Sequence, residues 1–445
     1  MNTRALRGIA FGRETLSRKP MNMKWYTVFA GLLMCASAAC GISPPLSRGP
    51  HAEETRSAVI VVAGYYGTKL ARVDNGTLLW VTASQALGGY ESLTLPLPEL
   101  GLDGTALRPS GILDEVRVIP WLYSYELYRP LLDELGRLHK GQRSVSSLNY
   151  DWRLDLMDAV RLLSTEIRRL HSEGTTHIAL VAHSMGGLIV SYYLRYGDQE
   201  PDKAVETWEG ARQVEKVVMA GVPYLGSMWA FRNMQYGRLV GLNRTILHQQ
   251  AMASFPASYY MLPLLEADVL LTPAQQPVAG AIRTAANWRV QGWGLLKKTG
   301  SAPSRTITRR ETYTSYWLDR SQRFLDRLHA PLATPNDRPI PILSLAAEGQ
   351  RTLAGGVWIP EEAGQNQGNV LFDRDQFKTR LPDLDPDIVN EDGDGSVTLK
   401  SASLPAAYEH AFHVTTQHLR VGHMELVTGR EGRRRIASFL EASPQ

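Results

Sequence analysis

The sequence predicts an α/β fold in which helices cover a doubly wound, mostly parallel sheet. Two observations support this prediction. Apolar strands alternate with amphipathic helices from residue 57 to about residue 219. Within this alternation, the segment THIALVAHSMGG (residues 176–187) runs from an apolar strand, through a serine between small residues, into a helical stretch. Parallel sheets place their functional sites at the carboxyl ends of strands, so this serine is the first candidate residue.

The serine-containing turn has the form of a nucleophile elbow, the strand-turn-helix unit of α/β-hydrolases. Ala182 and Gly186 flank Ser184, and both are small because strand and helix backbones approach closely at such a turn. Ala182 stands where the pattern usually has glycine. We predict that Ser184 is the nucleophile of an α/β-hydrolase with an inserted cap domain and a lid loop.

The other core elements follow in order along the chain. Residues 57–63 (SAVIVVA) form an apolar strand, and the glycine-containing turn GYYGTKL (residues 64–70) follows it. In a hydrolase, a turn at this place supplies half of the oxyanion hole. The remaining pattern predicts a helix around 126–140, a strand at 145–150, an amphipathic helix from Leu156, and a strand at 214–219.

Two long segments interrupt this core. Residues 71–125 contain many prolines and glycines without a clear period, which predicts an irregular lid loop. Residues 228–338 separate the strand at 214–219 from the next strand at 339–347, and an insert at this place predicts a cap over the site. The predicted domains are therefore the first core part (57–227), the cap (228–338) and the second core part (339–445).

The net charge of +4 does not indicate nucleic-acid binding. Residues 1–39 hold six basic residues and one acidic residue, a surplus of +5, so residues 40–445 carry −1. No basic patch interleaved with aromatic residues occurs elsewhere in the sequence. The basic charge belongs to a segment that we interpret as a leader.

The leader has the pattern of a secretory signal. Residues 23–40 (MKWYTVFAGLLMCASAAC) combine a positive start, a short apolar middle and a small-residue end. The end, SAACG, resembles a bacterial lipobox, although Ser37 stands where leucine is usual. We predict lipid attachment at Cys40, a flexible tether at 40–56 and an exported, membrane-anchored protein; simple cleavage near Ala39, with secretion, is the alternative.

An ordered series of motifs between residues 57 and 440 resembles the lecithin:cholesterol acyltransferase family. The motifs are GYYGTKL (64–70), YDWR (150–153), AHSMGG (182–187), GVPYLGS (221–227), EDGDGSV (391–397) and GHMEL (422–426). Members of that family are α/β-hydrolases that transfer an acyl group from a lipid ester to an alcohol or to water. The sequence departs from the family at Ala182. It also has no cysteine after Cys40, which excludes a disulfide-closed lid.

A nucleophilic serine needs a base and a group that orients the base, and the hydrolase fold supplies them in the chain order serine, acid, histidine. Of eleven histidines, His423 lies in a loop between a predicted strand near 411–415 and a C-terminal helix, where the fold places its base. His410, His413 and His418 are the competing candidates. His183 adjoins the serine, but on an elbow its side chain points away from the hydroxyl, so we predict a structural role.

The resemblance implies that Asp394, in GDGSV, is the acid of the triad, with Asp392 as the alternative. An EF-hand-like calcium loop through Asn390, Asp392 and Asp394 competes with this interpretation, but Ser401 stands where such a loop has glutamate. The predicted oxyanion donors are the backbone N–H groups of Met185 and, by its family position, Tyr66. No cofactor or metal is expected.

These residues predict a serine-dependent acyl-ester hydrolase or O-acyltransferase that acts on phospholipid or similar lipid esters, with water or an alcohol as acceptor. The sequence does not decide between hydrolysis and transfer. A carboxylesterase of the soluble type and a non-catalytic lipid-binding surface lipoprotein are the alternative functions.

Overall fold

The structure, a computed structural model, describes residues 56–119, 123–138, 143–264, 269–278, 280–297, 302–359 and 369–442. The predicted leader, most of the tether and the predicted lipid-attachment residue Cys40 lie outside the described residues. Among the helices that are described, none has both the length and the apolar character needed to span a membrane.

The described residues form strands and helices with the following bounds. The strands are β1 (Arg56–Val62), β2 (Thr68–Arg72), β3 (Leu78–Trp80), β4 (Leu107–Ile112), β5 (Glu115–Ile119), β6 (Tyr123–Glu126), β7 (Arg143–Ser147), β8 (Thr175–His183), β9 (Lys216–Ala220), β10 (Arg238–Val240), β11 (Asn243–Leu247), β12 (Leu270–Leu271), β13 (Pro341–Ala347), β14 (Gln350–Leu353), β15 (Gly356–Ile359), β16 (Asn369–Leu371), β17 (Asn390–Gly393) and β18 (His413–Leu419). The helices are α1 (Ala83–Ala86), α2 (Arg129–Arg137), α3 (Leu156–Ser172), α4 (Met185–Tyr196), α5 (Glu209–Arg212), α6 (Met228–Tyr236), α7 (Gln249–Ser254), α8 (Pro256–Tyr260), α9 (Ala285–Gln291), α10 (Ser304–His329), α11 (Arg374–Arg380), α12 (Leu399–Ala402), α13 (Ala406–Ala411), α14 (Glu425–Thr428) and α15 (Arg430–Glu441).

The core is a six-stranded sheet with the strand order β7-β1-β8-β9-β13-β18, and every neighbouring pair is parallel. Strand β8, which carries the predicted elbow, lies in the middle between β1 and β9. Helices separate the parallel strands along the chain, as parallel connections require. This architecture confirms the predicted α/β-hydrolase fold with a doubly wound, mostly parallel sheet.

The sheet is covered on both faces, which explains why its central strands are almost continuously apolar. In β1, Ile60 and Val62 face a large core that also contains residues of α3 and α4, such as Leu163 and Leu188. The alternate residues of β1 face a second core that contains residues of α2 and α15, such as Leu131. Side chains that alternate along β1 therefore pack against helices on both faces of the sheet.

The boundaries of the core elements differ from the predictions by a few residues. The helix predicted at 126–140 spans Arg129–Arg137, with Pro130 in its first turn. Proline is favoured at a helix start because it lacks an N–H group and its φ angle is already helical. The strand predicted at 214–219 spans Lys216–Ala220.

The prediction that residues 71–125 are irregular is wrong. Strands β2, β3 and β4 form a small antiparallel sheet, and β5 pairs with β6 in a second one. These strands are only three to six residues long, and β4 (LRPSGI) also contains proline and glycine, so the sequence shows no clear period here.

The residues between β9 and β13 form helices α6–α10 and three short strands. Their buried aromatic side chains, such as Phe231 and Trp288, belong to the same apolar core as Leu188 of α4. Residues Glu54–Gln445 thus form one compact unit, which contains both the sheet and this inserted segment.

Candidate active site

Ser184 lies in a sharp turn between β8 and α4. Its backbone has φ 56° and ψ −130°, a conformation that residues with a side chain rarely adopt. A Cβ atom on Gly186 would lie 2.3 Å from the carbonyl oxygen of Val62, so glycine is required where the helix passes β1. The sequence argument for a strained turn between small residues therefore agrees with the observed geometry.

Asp394 and His423 are hydrogen-bonded to each other. Asp394 directly follows β17, which pairs with β14, and His423 lies in the loop after β18. The distance from His423 Nδ1 to Asp394 Oδ2 is 2.6 Å, and the backbone N–H of His423 donates to the backbone oxygen of Asp394 at 2.9 Å. Since Nδ1 bonds to the carboxylate, Nε2 is the ring nitrogen that remains for a reacting group.

Ser184 and His423 both adjoin the end of β9. The N–H of Ser184 donates to the carbonyl oxygen of Ala220 at 2.8 Å. A Cβ atom on the next residue, Gly221, would lie 3.2 Å from the imidazole of His423. The fold therefore brings the predicted nucleophile and base to the same strand end, although they lie 239 positions apart in the sequence.

The carboxylate of Asp394 is buried and surrounded by donors. Its Oδ1 atom accepts the backbone N–H groups of Ser396 at 2.8 Å and Val397 at 2.6 Å. Burial alone raises the pKa of Asp394, but the charge and hydrogen bond of His423 and these N–H groups outweigh it and hold the pKa below its usual value. Asp394 is therefore ionised at neutral pH, as an orienting acid must be.

The alternative bases occupy other positions. His410 lies in α13, while His413 and His418 lie on β18, the edge strand of the sheet. The Nδ1 atom of His418 is 3.8 Å from the carboxylate of Glu348. His423 is the histidine that the structure pairs with Asp394.

Asp392, the alternative acid, is directed to a different partner. Its Oδ1 atom accepts the backbone N–H groups of Gly349 at 2.5 Å and Gly393 at 2.9 Å. Both oxygens of Asp394 are bonded to protein donors, Oδ1 to two N–H groups and Oδ2 to His423, whereas a calcium loop directs its carboxylate oxygens to the cation. Within the described ranges, no three His, Cys, Asp or Glu residues are grouped so that they could bind a metal.

The turn after β1 passes directly beside the elbow. A Cβ atom on Gly64 would lie 2.6 Å from Cβ of Ser184 and 3.1 Å from its Oγ. Two residues later, Tyr66 has φ 69°, in the left-handed region. The N–H of Met185 belongs to the first residue of α4 and has no partner within that helix. Both predicted oxyanion donors thus lie on backbone segments that adjoin Ser184.

Three aromatic side chains hold this turn through its carbonyl groups. Tyr150 Oη donates to Ala63 at 2.6 Å, Trp80 Nε1 donates to Tyr66 at 2.8 Å, and Trp152 Nε1 donates to Thr68 at 3.0 Å. Sequence reasoning noted Tyr150 and Trp152 only as part of the YDWR motif and assigned them no role. Their positions in a motif directly after a predicted strand were the available signal. Trp80 gave no such signal.

His183 is buried, and its side chain bonds to Tyr128 and to the backbone of His423. This agrees with the predicted structural role and adds a partner, Tyr128, that sequence reasoning missed. Burial is the main cause that lowers the pKa of His183 to about 3, and the neighbouring charge of His423 is the second. Its imidazole is therefore neutral near pH 7.

Comparison with known proteins identifies related sequences. Residues 104–298 match the family model for lecithin:cholesterol acyltransferase. A protein of Arabidopsis thaliana named "Putative phospholipid:diacylglycerol acyltransferase 2" is 27% identical over 156 residues, which is 31% of this chain and 23% of that protein. Both matches support the lecithin:cholesterol acyltransferase family.

A second relative is an uncharacterized protein of Saccharomyces cerevisiae. It is 23% identical over 220 residues, which is 47% of this chain and 30% of the yeast protein. The chain thus spans less than a third of the length of either relative.

The fold is similar to that of solved structures. The structure of the Tle4–Tli4 complex contains a chain that matches 87% of this chain and 98% of its own length, with a TM-score of 0.51 and 13% identity. Lipase BlEst2 of Bacillus licheniformis matches 88% of this chain and 93% of its own, with a TM-score of 0.33 and 12% identity. At this level of identity, the first match supports the fold alone.

Proposed function

We propose that this acyltransferase-like protein is a serine-dependent lipid acyl-ester hydrolase or O-acyltransferase. In this proposal, Ser184 is the nucleophile, His423 is the general base and Asp394 orients the base. The observation that carries the proposal is the buried, ionised Asp394 hydrogen-bonded to His423, beside a serine held in a strained elbow.

The proposed mechanism has two steps, acylation and deacylation of Ser184, and His423 transfers a proton in each. His423 Nε2 takes the proton of the Ser184 hydroxyl, and Oγ attacks the ester carbonyl carbon. The N–H groups of Met185 and Tyr66 stabilise the negative charge on the carbonyl oxygen. The alkoxide leaving group takes the proton from His423, which produces an alcohol and an acyl-serine. Water or an acceptor alcohol then gives its proton to His423 while its oxygen attacks the acyl carbon. The bond from that carbon to Ser184 Oγ breaks, and His423 returns the proton to Oγ, which releases a fatty acid or a new ester and regenerates Ser184.

A lipid substrate is supported by the surface beside the turn after β1 (residues 64–70), which we call the oxyanion turn. The hairpin of β10 and β11 exposes Leu239 and Leu242, and the segment after α1 exposes Leu87 and Tyr90. The two segments are joined by a hydrogen bond from the N–H of Leu242 to Ala86 at 2.7 Å. Four exposed apolar side chains on joined segments form a surface suited to aggregated lipid. The name of the Arabidopsis relative also refers to phospholipid.

Arg238, at the start of this hairpin, supports a lipid that carries a phosphate group. Its guanidinium lies 4.9 Å from the ring centroid of Tyr66, one of the proposed oxyanion donors. The side chain is exposed, and no described carboxylate lies within ion-pair distance of it. A cation at this place is able to bind the phosphodiester of a phospholipid whose ester carbonyl lies at Ser184.

The test is the ratio of free fatty acid to acyl-alcohol formed from one acyl-labelled phospholipid as a long-chain alcohol is added. We expect hydrolysis to exceed transfer in dilute assay, because water at roughly 55 M competes with any alcohol that the site does not hold. Transfer should rise when the alcohol is concentrated in the same micelle. Loss of both products in Ser184→Ala supports the proposal. Absence of both products from the wild-type protein would favour the non-catalytic lipid-binding alternative.

Replacing Arg238 with methionine should lower kcat/KM for a phospholipid by about tenfold, since one partly exposed charge-assisted contact is lost. For a diacylglycerol with the same acyl chains, kcat/KM should change by less than about twofold, because that lipid has no phosphate. Arg244→Met, which removes the same charge from the exposed face of β11, is the matched control. Equal losses with both lipids, or in both variants, would rule out a phosphate contact at Arg238.

A further inference from the structure

A chain of hydrogen bonds runs behind the proposed catalytic groups. The backbone N–H of Gly64 donates to Tyr128 Oη at 3.1 Å. Tyr128 Oη lies 2.7 Å from His183 Nδ1, and His183 Nε2 lies 3.1 Å from the carbonyl oxygen of His423. Tyr128 and His183 are both buried. Three segments that are distant in sequence are therefore connected by two side chains.

The positions of the protons in this series of hydrogen bonds follow from the two backbone groups at its ends, the N–H of Gly64 and the carbonyl of His423. The oxygen of Tyr128 accepts from Gly64, and its single hydroxyl proton is donated to Nδ1 of His183 when that nitrogen is unprotonated. The carbonyl of His423 is only an acceptor, so Nε2 of His183 carries a proton. His183 is then a neutral imidazole protonated at Nε2. The burial that lowers its pKa to about 3 is consistent with this state.

Each end of this series of hydrogen bonds contacts a part of the proposed site. Gly64 begins the turn that contains Tyr66, and a Cβ atom added to it would lie 2.6 Å from Cβ of Ser184. At the other end, the backbone of His423 is held on both sides, because its N–H donates to Asp394 and its carbonyl accepts from His183. His183 itself directly precedes Ser184 in the chain. One set of hydrogen bonds thus connects the oxyanion turn, the elbow and the loop that carries His423 (residues 420–424), which we call the base loop.

We propose that Tyr128 and His183 are positioning residues that keep the oxyanion turn and the base loop in register with Ser184. Neither residue touches the reacting atoms in this proposal; both act through Gly64 and His423. The inference rests on the proposed function, since it assigns these residues a role in that reaction. Its structural part, the tautomer of His183, can be measured in protein that has no substrate.

The first test is nuclear magnetic resonance of protein labelled with ¹⁵N-histidine at neutral pH, with His183→Gln used to assign the signal. We expect His183 to show a protonated Nε2 and an unprotonated Nδ1, and we expect Tyr128→Phe to shift the Nδ1 resonance. Protonation at Nδ1, or no response to Tyr128→Phe, would overturn the inference. This result does not depend on activity, so it stands or falls separately from the function of Ser184.

The second test compares the kinetics of Tyr128→Phe and Tyr192→Phe. Both changes remove one buried hydroxyl, but the hydroxyl of Tyr192 donates to Gln199 at 2.9 Å, within the segment after α4. We expect Tyr128→Phe to lower kcat by about ten- to a hundredfold with little change in KM, because small displacements of reacting groups have effects of that size. Equal kcat values in the two variants would show that Tyr128 has only a structural role.

A pair of variants at His183 keeps the proposal testable if one of them folds poorly. Glutamine offers an N–H donor to His423 and an oxygen acceptor to Tyr128, whereas leucine offers neither. We expect His183→Gln to retain several-fold more activity than His183→Leu at equal thermal stability. If the two variants have the same kcat, the hydrogen bonds of His183 do not position the base loop and the proposal fails.

Discussion

Replacing Asp394 with asparagine is expected to lower turnover by about 10⁴-fold while the fold remains intact. The geometry gives the reason. The position of Oδ1 receives the N–H groups of Ser396 and Val397, so the amide oxygen of asparagine occupies it. The NH₂ group then takes the position of Oδ2 and donates to Nδ1 of His423, which moves the ring proton to Nε2. In that tautomer, His423 cannot accept the proton of Ser184.

The measurement combines turnover of a lipid ester with covalent labelling of Ser184 by a fluorophosphonate probe. Asp392→Asn is the matched control, because it makes the same chemical change two residues away in a carboxylate that bonds to Gly349 and Gly393. Ser184→Ala shows the background of the labelling. If Asp392→Asn lost as much activity as Asp394→Asn, or if added calcium restored the activity of Asp394→Asn, the assignment of Asp394 as the orienting acid would be wrong.

The parts of the site that could be predicted from the sequence are those with strong local patterns. The elbow at Ser184 combines an apolar strand, small residues and a helix, so its strained backbone follows from the local sequence. His423 and Asp394 were predicted from chain order and from motif resemblance, and the structure brings them to 2.6 Å of each other. Their catalytic roles remain predictions.

The parts that could not be predicted depend on contacts between distant segments. Tyr128 is 55 positions from His183, and it reaches that residue only because α2 packs against the sheet. Trp80 reaches the carbonyl of Tyr66 because the small sheet of β2, β3 and β4 positions it there. The strands of this sheet are too short to show an alternation of apolar and polar residues. A single tyrosine or tryptophan in such a segment has no local signature, because its partner is defined by tertiary packing.

Replacing Arg195 with methionine is expected to destabilise the protein by about 3–5 kcal/mol. Arg195 lies in the last turn of α4, 2.5 Å from the carboxylate of Glu206, and both side chains are buried. It also donates to the carbonyls of Ala330 at 2.8 Å and Pro331 at 2.7 Å. The other oxygen of Glu206 accepts the N–H of Thr334 at 2.5 Å. These bonds hold the segment that returns from α10 to β13.

The large effect follows from the charge that the substitution leaves behind. Without Arg195, the carboxylate of Glu206 remains buried with its neutral N–H and O–H donors but has lost the cation that balanced its charge. Because α4 directly follows Ser184, loosening its last turn also loosens the contact between the elbow helix and the inserted segment. We therefore expect activity to fall at temperatures below the main unfolding transition.

The measurement is the midpoint of urea unfolding, with tryptophan fluorescence as the signal that monitors unfolding. Arg169→Met is the control, since Arg169 makes exposed ion pairs with Glu166 and with Glu173 at the end of α3, and the loss of such pairs should shift the midpoint much less. The double variant Arg195→Met with Glu206→Gln should be more stable than Arg195→Met alone, because the buried charge is removed with its partner. If the double variant were less stable than Arg195→Met, the loss would come from packing around the arginine rather than from the unpaired carboxylate.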